Sequence, residues 1–347
     1  MGSTMRGVVF TGDRTLEVRE FPIPEPGRGQ ALIQMRSAAI CGSDLHVYRR
    51  PKADFAGREG WIPGHEPAGV VAALGEGTGR VKVGDPVSIY HYLACGHCRW
   101  CLSGYMQWCE QRRGLGQPAA QGPDADYMLV DERNCLLLPE ALNYEDGALI
   151  ACIIATGYSS MRKLRPSGAD TLIVFGQGPV GLTGTILGKA YGARVIGVDI
   201  ADERLNLARE LGADEVLNPD KIRLVEAVHD LTRGQGADLA FETSGSAAAH
   251  QGVLDVLKYG GRGVFVGFGA TGPTVNLTSI IGRQLVLMGS FVMPIHYYWD
   301  LVDFLLQHDL PGKFARMITH RFPITEAVEA FRVADSAKAG KVMFVWD

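Results

Sequence analysis

Apolar residues follow two different rhythms along this chain. Up to about residue 150 they come in short runs, Gly7-Val-Val-Phe10, Gln30-Ala-Leu-Ile-Gln34, Gly69-Val-Val-Ala72 and Pro86-Val-Ser-Ile-Tyr90, each bounded by Gly, Pro or charge. Runs of this length between such breakers predict strands. Clusters such as Pro22-Ile-Pro-Glu-Pro-Gly27 and Gly75-Glu-Gly-Thr-Gly79 predict the turns that separate them. From about residue 168 the texture changes to strands alternating with helical patterns. Thr171-Leu-Ile-Val-Phe175 reads as a buried strand, after which Val180, Gly184, Leu187 and Tyr191 recur at helical spacing. Arg194-Val-Ile-Gly-Val-Asp199 is the next predicted strand, and Asp202 is placed to cap a helix that Gly212 ends. Ala237-Asp-Leu-Ala-Phe-Glu242, Arg262-Gly-Val-Phe-Val-Gly267 and Gln284-Leu-Val-Leu-Met288 continue the series. This alternation predicts an α/β fold built on a doubly wound parallel sheet. A last run, Lys341-Val-Met-Phe-Val345, is predicted to return as a strand to the first part of the chain.

Composition narrows the picture. A chain of 347 residues favours two domains. With 34 basic and 38 acidic side chains, and no basic run interleaved with aromatics, it argues against a nucleic-acid partner. The longest apolar stretch, Ala148-Leu-Ile-Ala-Cys-Ile-Ile-Ala155, is too short to cross a membrane, and Met1-Gly-Ser-Thr-Met5-Arg6 has no apolar leader region. Seven cysteines without such a leader lead us to expect a reducing, cytoplasmic setting with thiols available for metal.

Four of those cysteines crowd together at Cys95, Cys98, Cys101 and Cys109. Two-residue gaps let one short loop offer several soft sulfurs to a single ion, which suits a closed, tetrahedral, structural Zn²⁺. Gly176-Gln-Gly178-Pro179-Val180-Gly181 follows the first strand of the second part directly and opens a helix. Asp199 ends the next strand, where a carboxylate accepts both ribose hydroxyls of NAD. The helix N-terminus offers amide donors to the pyrophosphate. A carboxylate at that place repels a 2′-phosphate, so NAD is expected over NADP, with Arg204 near enough in sequence to soften the choice. The structural alternative makes Asp199 a solvated strand-end residue.

Three cysteines remain, Cys41, Cys135 and Cys152. Taken alone, Cys41 in Ile40-Cys41-Gly-Ser43-Asp44-Leu-His46 reads as a small buried hydrophobe, and His65 in Gly64-His65-Glu66 as a core histidine. At this point, however, the sequence resembles the zinc-dependent medium-chain alcohol dehydrogenases. The resemblance runs in order through Cys-Gly-Ser-Asp-x-His, Gly-His-Glu, the four-cysteine lobe, Cys152 with Thr156-Gly-Tyr158, and the glycine motif with its Asp. It implies a mostly β, GroES-like catalytic domain (1–154 and 295–347, zinc lobe at about 92–113) and a Rossmann NAD-binding domain (155–294).

The same resemblance implies that Cys41, His65 and Cys152 hold a catalytic Zn²⁺, with Glu66 as an alternative ligand and Asp44 orienting His65. Thr156, Pro179 and Val180 are implied contacts on the nicotinamide side, and Cys135 matches no ligand and reads as a buried strand residue. The resemblance further implies that zinc acts as a Lewis acid on an alcohol, that Ser43 takes the proton and passes it through the nicotinamide ribose to His46, and that hydride goes to NAD. Taken alone, Ser43 and His46 also read as ordinary turn residues. Cofactor, metal and relay are then expected to meet in a cleft between the domains. The expected substrate is a small-molecule alcohol or carbonyl. A carbonyl reductase or a tightly NAD-bound aldehyde dismutase of the same superfamily is the alternative, and a non-enzymatic zinc and NAD sensor a remote one. Tyr90-His91-Tyr92, four residues before the quartet, makes a polar trio and suggests a polar secondary alcohol or polyol. Arg49-Arg50-Pro-Lys52 reads either as a solvated basic turn or as a contact for an acidic substrate group. The resemblance also implies a homodimer or homotetramer, with the run from Gln284 as a plausible edge and the zinc lobe at subunit or domain contacts.

Overall fold

The computed structural model describes residues 4–57, 60–117, 121–269, 276–336 and 338–347. Residues 1–3, at the head of the N-terminal stretch read above for a leader, lie outside these. The chain divides into two compact units, 1–152 with 294–347, and 153–293.

The first unit opens with a hairpin, Thr4–Gly12 paired antiparallel with Thr15–Pro22. Asp13 and Arg14 between them both take positive φ, 52° and 61°, the conformation a two-residue hairpin loop needs to match the twist of its strands. The main sheet runs in the order Ile318–Phe322, Lys341–Val345, Gln30–Ile40, Pro67–Leu74, Pro86–Ile89, Cys135–Leu137, with Tyr127–Asp131 also pairing Gln30–Ile40. The run from Lys341 is thus a strand, paired antiparallel with Gln30–Ile40 so that Val342 faces Ile40. Phe10 is the hub of the core, with its ring edge-on to Phe331 at 5.0 Å and tilted against Tyr48 at 5.5 Å. Cys135 is buried in this core.

The second unit is a six-stranded parallel sheet ordered Glu215–Leu217, Arg194–Val198, Thr171–Phe175, Ala237–Glu242, Leu257–Phe265, Val286–Gly289. This is the doubly wound arrangement predicted from the alternation. Strand order reverses between Thr171–Phe175 and Ala237–Glu242, and that switch point is where such sheets bind ligands at their carboxyl ends. Two local expectations are corrected. Ala201, not Asp202, is the N-cap of the helix Asp202–Glu210. Asp202 sits in its first turn, where a carboxylate complements the dipole, and accepts from Asn218 while pairing with Lys221. The strand expected from Gln284 starts at Val286, because Gln284, at φ 52°, closes the helix Leu277–Arg283.

Helix Pro179–Ala190 begins immediately after the glycine motif, with Gly178 as N-cap and Pro179 at the first helical position. Gly176 takes φ +83°, and a Cβ on Gly181 would lie 1.7 Å from the Gly176 carbonyl oxygen. Gly181→Ala is therefore expected to push the helix start away from the strand, costing about 1–3 kcal/mol. Thermal unfolding reads this as a lowered midpoint, and NADH titration as loss of tight binding. An alanine variant with both properties intact would show that the close approach is dispensable.

Candidate metal centre and cofactor site

Three separate stretches of the first unit deliver one cluster of donors. Strand Gln30–Ile40 ends at Cys41, the N-cap of the short helix Gly42–Tyr48. His65 and Glu66 immediately precede strand Pro67–Leu74. Cys152 sits in a π-helical turn, Ile150–Ile154, a distortion often found where a helix must re-aim a functional side chain. One ligand atom from each of Cys41, His65, Glu66 and Cys152 lies within 4.8 Å of all the others. Two thiols, an imidazole and a carboxylate make a donor set that fits zinc.

Asp44 orients two members of the cluster at once. Its Oδ1 accepts Nδ1–H of His65 at 2.9 Å, and its Oδ2 accepts the main-chain N–H of Cys41 at 2.8 Å. With Nδ1 committed as donor, Nε2 of His65 is the nitrogen left for a metal. Against burial, Asp44 and Cys41 hold the ring well above the usual imidazole range, so a metal there would displace a proton. Ser43 Oγ lies 3.4 Å from that nitrogen. His46, one turn further along the same helix, is exposed.

Charge in the cluster is tightly interlocked. The bond from the Cys152 thiol holds Cys41 well below the usual thiol range, against burial and with help from His65 and Lys341. Cys152 is pushed the other way by that same bond and by burial. Binding a cation to such a pair therefore releases a proton. Burial pushes the Glu66 carboxyl up to about 8, against the pull of Lys341. Lys341 Nζ lies 2.6 Å from Glu66 Oε2, both side chains almost fully shut off from solvent (1% and 0%). Burial alone would lower Lys341, but Glu66 and Cys41 raise it above its ordinary value.

Two neighbours of the cluster escaped the reading of the sequence. Lys341 looked like the first residue of an apolar strand, and only the oddity of a lysine heading a buried run signalled it. Asp124 is 1% exposed, and neither of its oxygens has a hydrogen-bond partner among the described residues. Its carboxyl fills the place where a side chain on Gly64 would stand, 2.4 Å from that Cβ position, and Gly64 itself takes φ +92°. Burial and the nearby Asp44 push Asp124 well above the usual carboxylate range.

His91 is buried with its ring 5.5 Å from that of His65, and Nδ1 donates to the Ala151 carbonyl at 2.6 Å. Burial and His65 lower its pKa to about 4, so the ring is neutral. Tyr90 donates to Gln107 at 3.1 Å. Of the basic turn, Arg49 is already held by Asp335 at 2.6 Å, with Arg14 on the same carboxylate. That pairing favours a structural role for Arg49.

The quartet is a separate site. The four sulfurs of Cys95, Cys98, Cys101 and Cys109 also lie within 4.8 Å of one another. Main-chain N–H groups of His97 and Cys98 lower Cys95 to about 6, whereas burial raises Cys101 to about 12. The lobe is tied down by the main-chain bond from Ile295 to Gly104 at 2.9 Å and by Tyr105 packing on Trp108 and His296.

In the second unit Gly176, Gly178, Pro179, Val180 and Gly181 form the turn and first helical residues as read. Asp199 Oδ2 accepts the N–H of Gln177 at 2.6 Å and Oδ1 that of Ala201 at 2.9 Å. Arg204 Nη1 stands 3.9 Å from Asp199. Thr156 is buried in helix Ala155–Leu164.

Residues 27–140 match the model of the alcohol dehydrogenase GroES-like domain, and residues 179–307 that of the zinc-binding dehydrogenases. The zinc-type alcohol dehydrogenase-like protein YphC of Escherichia coli K12 is 36% identical over 98% of both chains. The chain belongs to the zinc-dependent medium-chain alcohol dehydrogenases. L-threonine 3-dehydrogenase of Saccharopolyspora erythraea is 33% identical over 99% of both chains. Among solved structures, an alcohol dehydrogenase (rspB) of Escherichia coli CFT073 complexed with NADH superposes with a TM-score of 0.88. It is 28% identical, covering 99% of this chain and 100% of that one. As a member of this family the chain is an oxidoreductase of the alcohol dehydrogenase type, using zinc and a nicotinamide dinucleotide. Among the described residues no helix is long and apolar enough to cross a membrane.

In this dehydrogenase the Lys341–Glu66 pair gives a direct test. Lys341→Met leaves a buried carboxylate without its partner and is expected to destabilise by about 3–5 kcal/mol. Adding Glu66→Gln should recover more than half of that loss in urea unfolding of the zinc-loaded protein. A single variant as stable as the parent would mean that the pair contributes nothing net.

Proposed function

We propose that this dehydrogenase oxidises a polar secondary alcohol or polyol with NAD as hydride acceptor. The observation that carries the reading is the cluster of half-buried Cys41, His65 and Cys152 around buried Glu66, with Lys341 matched to Glu66. With Glu66 balanced in this way, Cys41, His65 and Cys152 are the three ligands, and a fourth position is open to substrate. Zinc held there supplies Lewis acidity that lowers the pKa of a hydroxyl at that position. Ser43 would take the hydroxyl proton, and His46, exposed on the same helix, would pass it to water. Bound NAD would supply the hydride acceptor for the carbinol carbon, giving a ketone or aldehyde, and Thr156, Pro179 and Val180 would hold its nicotinamide side. The quartet, with all four ligands from protein, has no open position and serves as a structural site.

Polarity beside the cluster supports the substrate class. His91 is a neutral, buried imidazole against His65, where a pocket for simple apolar alcohols would present a hydrocarbon. The threonine dehydrogenase relative, by its name, acts at a hydroxyl with polar neighbours. Asp199 supports NAD over NADP through its charge, and Arg204 reduces but does not reverse that preference. The partly exposed edge strand Val286–Gly289 supports pairing between copies, as a dimer or tetramer. Free thiols in both metal clusters support a cytoplasmic setting.

Metal analysis is expected to find two zinc ions per chain. Cys41→Ser should remove one of them and reduce turnover at least about a thousandfold with the fold intact. Cys98→Ser should remove the other, and its effect should appear first as a lowered thermal midpoint. One zinc in the parent, or turnover surviving Cys41→Ser, would refute the catalytic assignment.

An NAD-coupled screen at 340 nm across simple alcohols, polyols, sugars and hydroxy acids should favour polyols and other polar secondary alcohols over ethanol and butanol. Asp199→Gly should shift kcat/KM toward NADP by about tenfold or more. A cofactor ratio that does not move would place the ribose contact elsewhere.

A further inference from the structure

Glu242 ends the strand beside the one that carries the glycine motif, and its side chain is fully buried. A buried carboxylate has to be met by donors or by charge. One of its oxygens is well served. Oε1 accepts the main-chain N–H groups of Ser244 at 2.8 Å and Gly245 at 2.9 Å, and the Ser244 hydroxyl at 2.7 Å. Oε2 has no hydrogen-bond donor among the described residues. It faces Nε2 of His250 at 3.3 Å, an atom equally without a hydrogen-bond partner, and a Cβ on Gly267 would come within 2.8 Å of it.

The turn shaped by Oε1 is wedged between two other loops. Thr243 donates its N–H to the Phe175 carbonyl, and its hydroxyl to the carbonyls of Phe175 and Gly176, each at 2.9 Å. Cβ atoms on Gly176 and Gly181 would meet Ser244 and the Thr243 hydroxyl at 3.0 Å. On the far side, a Cβ on Gly267 would lie 2.1 Å from the Gly245 nitrogen, and one on Gly245 would lie 2.5 Å from the Phe268 oxygen. The loops after Thr171–Phe175, Ala237–Glu242 and Leu257–Phe265 thus meet around a single carboxylate. They do so at the carboxyl end of the sheet, at its switch point.

We infer that Glu242 is a positioning residue of the dinucleotide site, with His250 as the group set against its second oxygen. It touches no reacting atom. Three donors converging on one oxygen are best met by a carboxylate, which accounts for Glu242 at the buried end of this strand. The resulting turn backs the glycine motif and holds it at the spacing the pyrophosphate requires. This role depends neither on the alcohol oxidised nor on the metal ligands.

The test uses the zinc-replete full chain with NADH as the probe. Glu242→Met keeps the length of the side chain but offers no acceptor, whereas Glu242→Gln keeps an acceptor oxygen and adds an amide toward His250. With Met, the NADH Kd from fluorescence titration and the KM for NAD should both rise about tenfold or more, while kcat at saturating NAD stays within about twofold. Gln should return the Kd to within about threefold of the parent, and His250→Leu should weaken NADH about threefold. A folded Met variant that binds NADH as tightly as the parent would overturn the assignment, as would a loss of kcat at unchanged Kd. If the Met variant does not fold, an unchanged NADH Kd in His250→Leu overturns it instead.

Discussion

Glu66 has a carboxyl group that cannot reach water. It is wholly buried beside His65, and the ammonium of Lys341, equally buried, stands 2.6 Å away. For that pairing to exist, strand Lys341–Val345 must lie against Gln30–Ile40 with Val342 opposite Ile40. A slip of one residue would turn the lysine to the other face of the sheet. The pair therefore sets the register of the strand that ends at Cys41. Buried ion pairs contribute little net stability compared with well-packed apolar residues, so what this one supplies is geometry. The cluster of donors, the turn that carries His65 and the closure of the first unit's sheet all follow from it.

Much of this was legible in the chain. The short runs predicted strands, the strand–helix alternation predicted the parallel sheet, and glycine and cysteine spacing marked the nucleotide turn and the quartet. Those signals are local, a few residues acting on their neighbours. Lys341 and Asp124 were not legible, because each acts across a long stretch of sequence on a turn it never approaches in the chain. Asp202 misled for a related reason. Its type suits a cap, but Asn218 and Lys221, brought up by the next strand, draw its side chain elsewhere. Gln284 was read into a strand because its neighbours are apolar, whereas its backbone closes a helix.

A second theme joins the two units. In a chain with 44 glycines, turns are many, and their main-chain N–H groups need acceptors. Carboxylates meet that need repeatedly. Glu132 accepts from Gly79 and Val81, Asp146 from Asn143 and Gly312, Asp44 from Cys41, and Asp199 from Gln177 and Ala201. Glu242 belongs to the same set. Each pins a loop that has little apolar surface to bury, and several of these loops border the metal cluster or the nucleotide turn. These acidic residues are thus part of the internal framework of the fold.

The position of Lys341 also has a consequence for the order of events during synthesis. Cys41, His65 and Cys152 are made early, but the cation that balances Glu66 is made only after residues 153–293 are complete. The nucleotide-binding unit, contiguous in the chain, has all its own strands by then and can fold as a block. The metal-binding unit, although its first strands are made early, lacks two strands of its sheet, Ile318–Phe322 and Lys341–Val345, until afterwards. The charge that balances Glu66 beside the metal cluster is therefore in place only once the last strand, Lys341–Val345, has joined the sheet.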